Sequence, residues 1–311
     1  MSHERPGAYT LLLLVAVIGS VVYSLRIQGI FACPASGYSS DQYIAYCQAT
    51  SYGDYDYGAF WFDLEPAAAA AAAKAQVLFL GNSRTQFGLS TEATANWFSG
   101  LGIRPYLLGF SYDGNYLFEA PLLKALRPQA KVYVINLDLF FQPTETAPAR
   151  EVMRDHAARE RYGQKRAWQR FHRELCGALP SVCGHEAAVY RSRASGAWAQ
   201  VGGAFTGHAV SYDESVDSAV VSAYTRAGIG FLAELAAKPG CVLLTYVPNV
   251  QSSIGTAKAI AAGLGLTLVA PQLEGLRTFD DTHLDPPSAE RWSTAFLAAA
   301  GPQIRQCIEG P

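Results

Sequence analysis

The chain opens on an unbroken apolar stretch. Residues Ala8 to Leu25 read AYTLLLLVAVIGSVVYSL, carry no charge, and at about 1.5 Å per residue span close to the hydrocarbon thickness of a bilayer. Tyr9 and Tyr23 lie near its ends, where amphipathic rings settle among headgroups. A cleaved signal peptide is the competing reading, but SVVYSLRIQ offers no good small-x-small site, so the pattern predicts an uncleaved anchor within residues 1–26. Residues 27–75 then show no sustained period. They are crowded with rings (Tyr38, Tyr43, Tyr46, Tyr52, Tyr55, Tyr57, Trp61, Phe62), which predicts an aromatic-rich linker or subdomain. Pro66 and the alanine run Ala67 to Ala73 predict a short helix at its end.

From residue 76 the pattern changes to short apolar runs rich in β-branched and large side chains. Gln76–Leu80, Pro105–Leu108, Lys131–Leu137, Cys241–Val247 and Leu266–Val269 are predicted strands. Between and after them, Thr91–Phe98, Asn115–Leu126, Ser218–Ala237, Thr256–Ala262 and Ser288–Ala299 have helical period or composition. Strand–helix alternation with runs this continuous predicts an α/β domain over 76–311, a parallel sheet covered on both faces. Residues 145–215 break the alternation and are expected to be a helical insertion. Within them Arg150–Glu174 carries eight Lys or Arg against four Asp or Glu, either a solvated helix face or a surface for anionic headgroups or a membrane partner.

Composition narrows the classes. Half the residues are hydrophobic and 16% are charged, which excludes a disordered chain. A net charge of -2, with no basic repeat, P-loop or zinc-finger spacing, argues against nucleic acid as a partner. The six cysteines form no CxxC and have no histidine at ligand spacing, so no metal or other cofactor is expected. Their even number beside an anchor points to an oxidising compartment, against the alternative of six reduced thiols in the cytosol. The expected pairs are Cys33–Cys47, Cys176–Cys183 and Cys241–Cys307; a last helix running back along the sheet would bring Cys307 to the edge where Cys241 opens its strand.

Candidate chemistry lies in two places. QVLFLGNSRTQFGLS, residues 76–90, runs a strand into Gly81-Asn82-Ser83-Arg84, so Ser83 falls just past a carboxyl strand end, where open α/β sheets bind ligands. Gly81 allows a sharp turn, and the Ser83 amide is then free for a developing oxyanion. FDDTHLD, residues 279–285, precedes the last helix. A carboxylate three residues ahead of an imidazole, Asp280 before His283, can turn back to Nδ1 and leave Nε2 as the base for Ser83, with Asp281 and Asp285 as alternative orienters. The plainer readings are a helix-capping serine and a surface-loop DxxH.

The strand followed by GNSR, and DxxHL before the terminal helix, resemble the SGNH (GDSL-like) hydrolase superfamily. Within it they look like the membrane-anchored proteins of bacterial cell-surface polysaccharide O-acetylation and teichoic-acid alanylation. The resemblance spans residues 76 to 300 apart from the insertion. It implies a flavodoxin-like three-layer α/β/α fold, nucleophile Ser83, base His283, orienter Asp280, and a second oxyanion amide at Gly109 in LLGFSYDGN. The family's third block, GxND, is missing: INLDLFF supplies Asn136 and Asp138 in other places. Arg84, Tyr112, Asn115 and Asp138 are candidate substrate contacts. Their plainer uses are an ion pair for Arg84, core packing for Tyr112 (as for Tyr116), and a helix cap for Asn115. The resemblance further implies an O-acetyltransferase on the inner membrane, facing the periplasm or exterior, that acts on a polysaccharide beside a membrane-bound O-acyltransferase. An anchored carbohydrate esterase and a non-catalytic scaffold or glycan-binding subunit are the alternatives.

Overall fold

The computed structural model describes residues 6–27, 29–48, 52–203, 206–235, 237–238 and 240–310. Among the described residues the strands run in order β1 (Gln42–Cys47), β2 (Gly53–Asp54), β3 (Val77–Asn82), β4 (Pro105–Phe110), β5 (Val132–Asn136), β6 (Ala188–Ser192), β7 (Trp198–Val201), β8 (Val242–Thr245) and β9 (Thr267–Val269). The α-helices are α1 (Pro6–Ile27), α2 (Asp56–Trp61), α3 (Pro66–Ala73), α4 (Ser83–Leu89), α5 (Glu92–Gly100), α6 (Tyr116–Leu126), α7 (Ala147–Arg154), α8 (Ala158–Ala178), α9 (Ser218–Glu234), α10 (Ile254–Leu264) and α11 (Pro286–Glu309).

The five predicted strands of the main domain all form, and they join in one parallel sheet of order β4-β3-β5-β8-β9. Because successive side chains in a strand point to opposite faces, β3 splits cleanly. Val77 and Phe79 join a core with Leu107, Val132, Val134 and the α11 residues Trp292 and Phe296. Leu78 and Leu80 join the other core with Leu108, Ile135, Leu244, Phe118 of α6 and Ile260 of α10. Both faces are thus helix-covered, which is why these strands read as continuous apolar runs rather than alternating ones. The winding reverses at β3, whose neighbours β4 and β5 lie on opposite sides of it, so a crevice opens where the loops leaving the carboxyl ends of β3 and β5 diverge.

The second sheet was not anticipated. Residues 145–215, expected as a helical insertion, are helical only in α7, α8 and a short 3-10 turn at Pro180–Val182; β6 and β7 follow. These strands pair antiparallel with β1 and β2 of the aromatic segment in the order β2-β1-β6-β7. The rings of that segment are largely interior: Tyr43, Tyr55 and Tyr57 are fully buried. A buried Arg191–Asp56 ion pair ties the small sheet to the large one, since Arg191 also donates to the carbonyls of Leu107 and Gly109 on edge strand β4. Buried charges of this kind persist only where paired and hydrogen-bonded.

All three expected disulfides are present, with Cα–Cα distances of 6.3 Å (Cys33–Cys47), 5.8 Å (Cys176–Cys183) and 5.7 Å (Cys241–Cys307). Helix α1 contains a 20-residue window, Gly7–Arg26, of mean hydropathy 2.1 with none of it buried, long and apolar enough to cross a membrane. Near its carboxyl end Val22 and Leu25 pack against the larger core.

Candidate active site

Ser83 is the first residue of α4, and the geometry that presents it is local. Gly81 has φ 144°, and a Cβ there would collide with Thr85 Oγ1 and press on Asn136, so only glycine fits. Asn82 caps α4 by accepting from the Arg84 amide at 3.0 Å. From behind, the Gly81 amide donates to Glu119 Oε1 at 3.1 Å. Glu119 is fully buried, and desolvation holds its carboxyl well above the usual range despite that hydrogen bond.

The loop before α11 brings the base. His283 Nε2 lies 2.7 Å from Ser83 Oγ, and His283 Nδ1 lies 2.8 Å from Asp280 Oδ2. The other Asp280 oxygen accepts from the amides of Thr282 (3.1 Å) and His283 (2.8 Å), so the carboxylate is fixed by its own loop. Burial raises the Asp280 pKa, but the hydrogen bonds and charge of His283, with the Thr282 amide, outweigh it and hold the carboxyl below its ordinary value. With Nδ1–H donated to Asp280, Nε2 is left to accept the serine proton. The ring is caged by Phe279, stacked at 5.4 Å, and by Phe87 of α4 at 4.8 Å edge-on. Of the two alternative orienters, Asp281 turns away to His208 Nδ1 at 2.7 Å, and Asp285 caps α11 through the Ser288 amide.

Arg84 and Asp138 hold the loops together. The Arg84 guanidinium pairs with Asp138, its Nε donates to the Thr282 carbonyl at 3.2 Å, and Asn82 Nδ2 donates to Asp138 at 2.8 Å. The loops after β3, after β5 and before α11 are therefore stapled by one ion pair whose two side chains are largely buried. Both residues, expected as candidate substrate contacts, are committed to each other. Asn115 is buried and caps α6 through the Leu117 amide, with its amide nitrogen on the Thr144 carbonyl. Asn136, at the end of β5, accepts from the Val247 amide.

Gly109 lies within β4, opposite Gly81, where a Cβ would come within 2.7 Å of the Asn82 carbonyl. It does not line the cavity over Ser83; Ser111 and Tyr112, from the turn just beyond it, do. Tyr112 and Asp113 in that turn both have positive φ (49° and 58°). Ser111 donates its hydroxyl to buried Asp54, whose own position is set by the Tyr57 amide at 3.1 Å.

The cavity over Ser83 has a volume of about 300 Å³ and is walled by Phe87, Phe279 and His283 on one side and by the small sheet on the other. A second cavity of about 360 Å³, with Tyr224, Tyr246 and Asn249 in its wall, lies across the Arg84–Asp138 pair. A third, about 580 Å³, sits at the opposite end of the sheet between α6 and α9, away from this chemistry. Sequence reasoning missed Phe87, Ser111, Trp198 and Gln200. Phe87 was within reach, four residues from Ser83 and so on the same helix face; Trp198 and Gln200 carried no local signal. No family model, curated protein or solved structure matches the chain.

Proposed function

We propose that this protein is a serine-dependent O-acyltransferase of SGNH type, acting outside the cytoplasm on a cell-surface polysaccharide. The observation that carries the reading is the continuous Ser83–His283–Asp280 relay at the carboxyl end of β3. The winding reversal at β3 supports the flavodoxin-like, SGNH-type assignment, and apolar α1 with three disulfides supports an anchored domain in an oxidising compartment.

In the first half-reaction His283 Nε2 takes the Ser83 proton while Oγ bonds to the acyl carbon of an ester donor. The Ser83 amide and the adjacent Ser111–Tyr112 turn face the developing oxyanion. As the ester C–O bond breaks, His283 returns the proton to the departing alkoxide. In the second, an acceptor hydroxyl gives its proton to His283 as it attacks the acyl-serine, and His283 passes that proton to Ser83 Oγ as the acyl–Oγ bond breaks. Water as acceptor makes the same machinery an esterase. Because coenzyme A is not supplied outside the cytoplasm, the resemblance points to a membrane-bound O-acyltransferase as the acyl source.

The test is intact-mass analysis of full-length protein after brief exposure to p-nitrophenyl acetate, beside Ser83→Ala. A Ser83-dependent gain of about 42 Da, or Ser83-dependent p-nitrophenol release, is expected. Adding a glycan acceptor then separates transfer from hydrolysis: free acetate as the sole product assigns the esterase. A Ser83→Ala protein that sustains full glycan acylation in cells would instead make the chain a scaffold.

A further inference from the structure

The wall facing the triad is one face of the small sheet. Tyr46 and Gln48, Ala187 and Val189, and Trp198 and Gln200 all line the cavity. Within each segment the two are spaced by two residues, so a pleated strand presents both on the same side. The register confirms a platform: Tyr46 lies opposite Val189, and Val189 opposite Gln200, one row across three strands. Small Ala187 and Val189 keep its middle low. Rings stand at either side, Trp198 packed edge-on against Phe87 at 5.5 Å and Tyr46 edge-on against rim residue Tyr112 at 6.0 Å.

The chemistry of this face is specific. Half-buried Tyr46 presents a ring suited to the C–H face of a pyranose beside the buried Trp198, Gln48 offers both donor and acceptor to neighbouring hydroxyls, and Gln200, whose Nε2 donates to the Gly202 carbonyl at 3.3 Å, offers its carbonyl oxygen. Among the described residues no Lys or Arg lines the cavity. Arg84, next to Ser83 in the chain, is engaged by Asp138 and the Thr282 carbonyl. Asp280 puts a carboxylate in the wall, and Asp113, on the turn beyond β4, feels the charges of Arg84 and His283. A polyanion would meet the Asp280 carboxylate with no lysine or arginine in the wall to offset it.

We propose that this sheet face is the acceptor platform and that it takes an uncharged, hydroxyl-rich polysaccharide rather than a uronate- or phosphate-bearing one. The assignment rests on the acyl-transfer reading, because only an acyl-Ser83 makes the groove an acceptor site.

The experiment uses full-length Ser83→Ala protein in detergent micelles, titrated with neutral gluco-, manno- and galacto-oligosaccharides and with oligogalacturonate of equal length. Binding is followed by tryptophan emission, with Trp198→Phe identifying the reporter. At least one neutral oligosaccharide is expected to bind about ten-fold more tightly than the uronate, and Gln48→Ala/Gln200→Ala to weaken it about ten-fold. Gln48 is exposed and Gln200 half-buried, so this variant keeps the fold testable. Tighter binding of oligogalacturonate, or neutral binding that the double variant leaves intact, would overturn the platform. So would a wild-type preference for p-nitrophenyl octanoate over acetate that Trp198→Ala abolishes, because the face would then be an acyl-chain pocket. Ser83 acetylation by p-nitrophenyl acetate needs no glycan and separates the two failures. If acetylation occurs without this discrimination, only the platform falls; without acetylation, the acyl-transfer reading and the acceptor assignment fall together.

Discussion

At the residue scale the site depends on a few atoms held by short-range contacts. Asp280 is the clearest example: one oxygen orients His283 while the other is bound by two amides of its own loop. Asp280→Asn would keep the shape but offer an NH₂ to Nδ1, favouring the tautomer in which Nε2 carries the proton and cannot act as base. The expected result is a loss of Ser83 acylation rate on the order of 10³- to 10⁴-fold with little change in thermal stability, read by p-nitrophenol release and a melting curve. The order of Ser83 and His283 with Asp280 was legible in the chain because GNSR and DxxH are each local signals. Arg84 and Asp138 were legible only as residue types. Their use as a staple depends on a contact between positions 54 residues apart, which no periodicity reports.

At the element scale, β2 and the turn after β4 are coupled through Asp54. Burial pushes its carboxyl up to about 7, helped by the charge of Asp56 and opposed by the Ser111 and Tyr57 hydrogen bonds and by Lys165. The sign follows directly: between about pH 4 and about pH 7 the folded chain keeps a proton that the unfolded chain releases. Asp54's contribution to stability is therefore lost as pH rises through that window. Asp54→Asn should flatten this part of the stability profile, measured by melting temperature across the range. Helices α5, α6, α9, α10 and α11 were predicted because caps and apolar stripes are local, whereas α4, seven residues long, was not. The small sheet was not, because β1 and β6 are short, mostly buried, and about 140 residues apart, so neither alternation nor turn chemistry announces the pairing.

At the scale of the whole molecule, the Cys241–Cys307 bridge ties the terminal helix to the sheet across a separation of 66 residues, whereas Cys176–Cys183 closes only 7. Loop-closure entropy predicts that Cys241→Ser/Cys307→Ser costs about 4 kcal/mol and Cys176→Ser/Cys183→Ser about 2 kcal/mol, a ranking that denaturant unfolding can check. Most of the large apolar side chains of α1, Leu11 to Leu14 and Val15, Val17, Ile18 and Val21 among them, are exposed. The full chain is accordingly expected to stay with membranes through alkaline carbonate and high salt and to leave them only in detergent.

The five parallel strands, most of the helices around them, the apolar amino-terminal helix and the order of Ser83, Asp280 and His283 could be read along the chain. Each of these is written in neighbouring positions, as a run, a cap, a turn or a count. Folding in three dimensions was needed to make residues 42–54 and 188–201 share a sheet, to set that sheet over Ser83, to put Ser111 and Tyr112 rather than Gly109 at the cavity, and to bind Arg84 to Asp138. These are pairings between distant segments, selected by burial and hydrogen-bond satisfaction when the chain closes on itself.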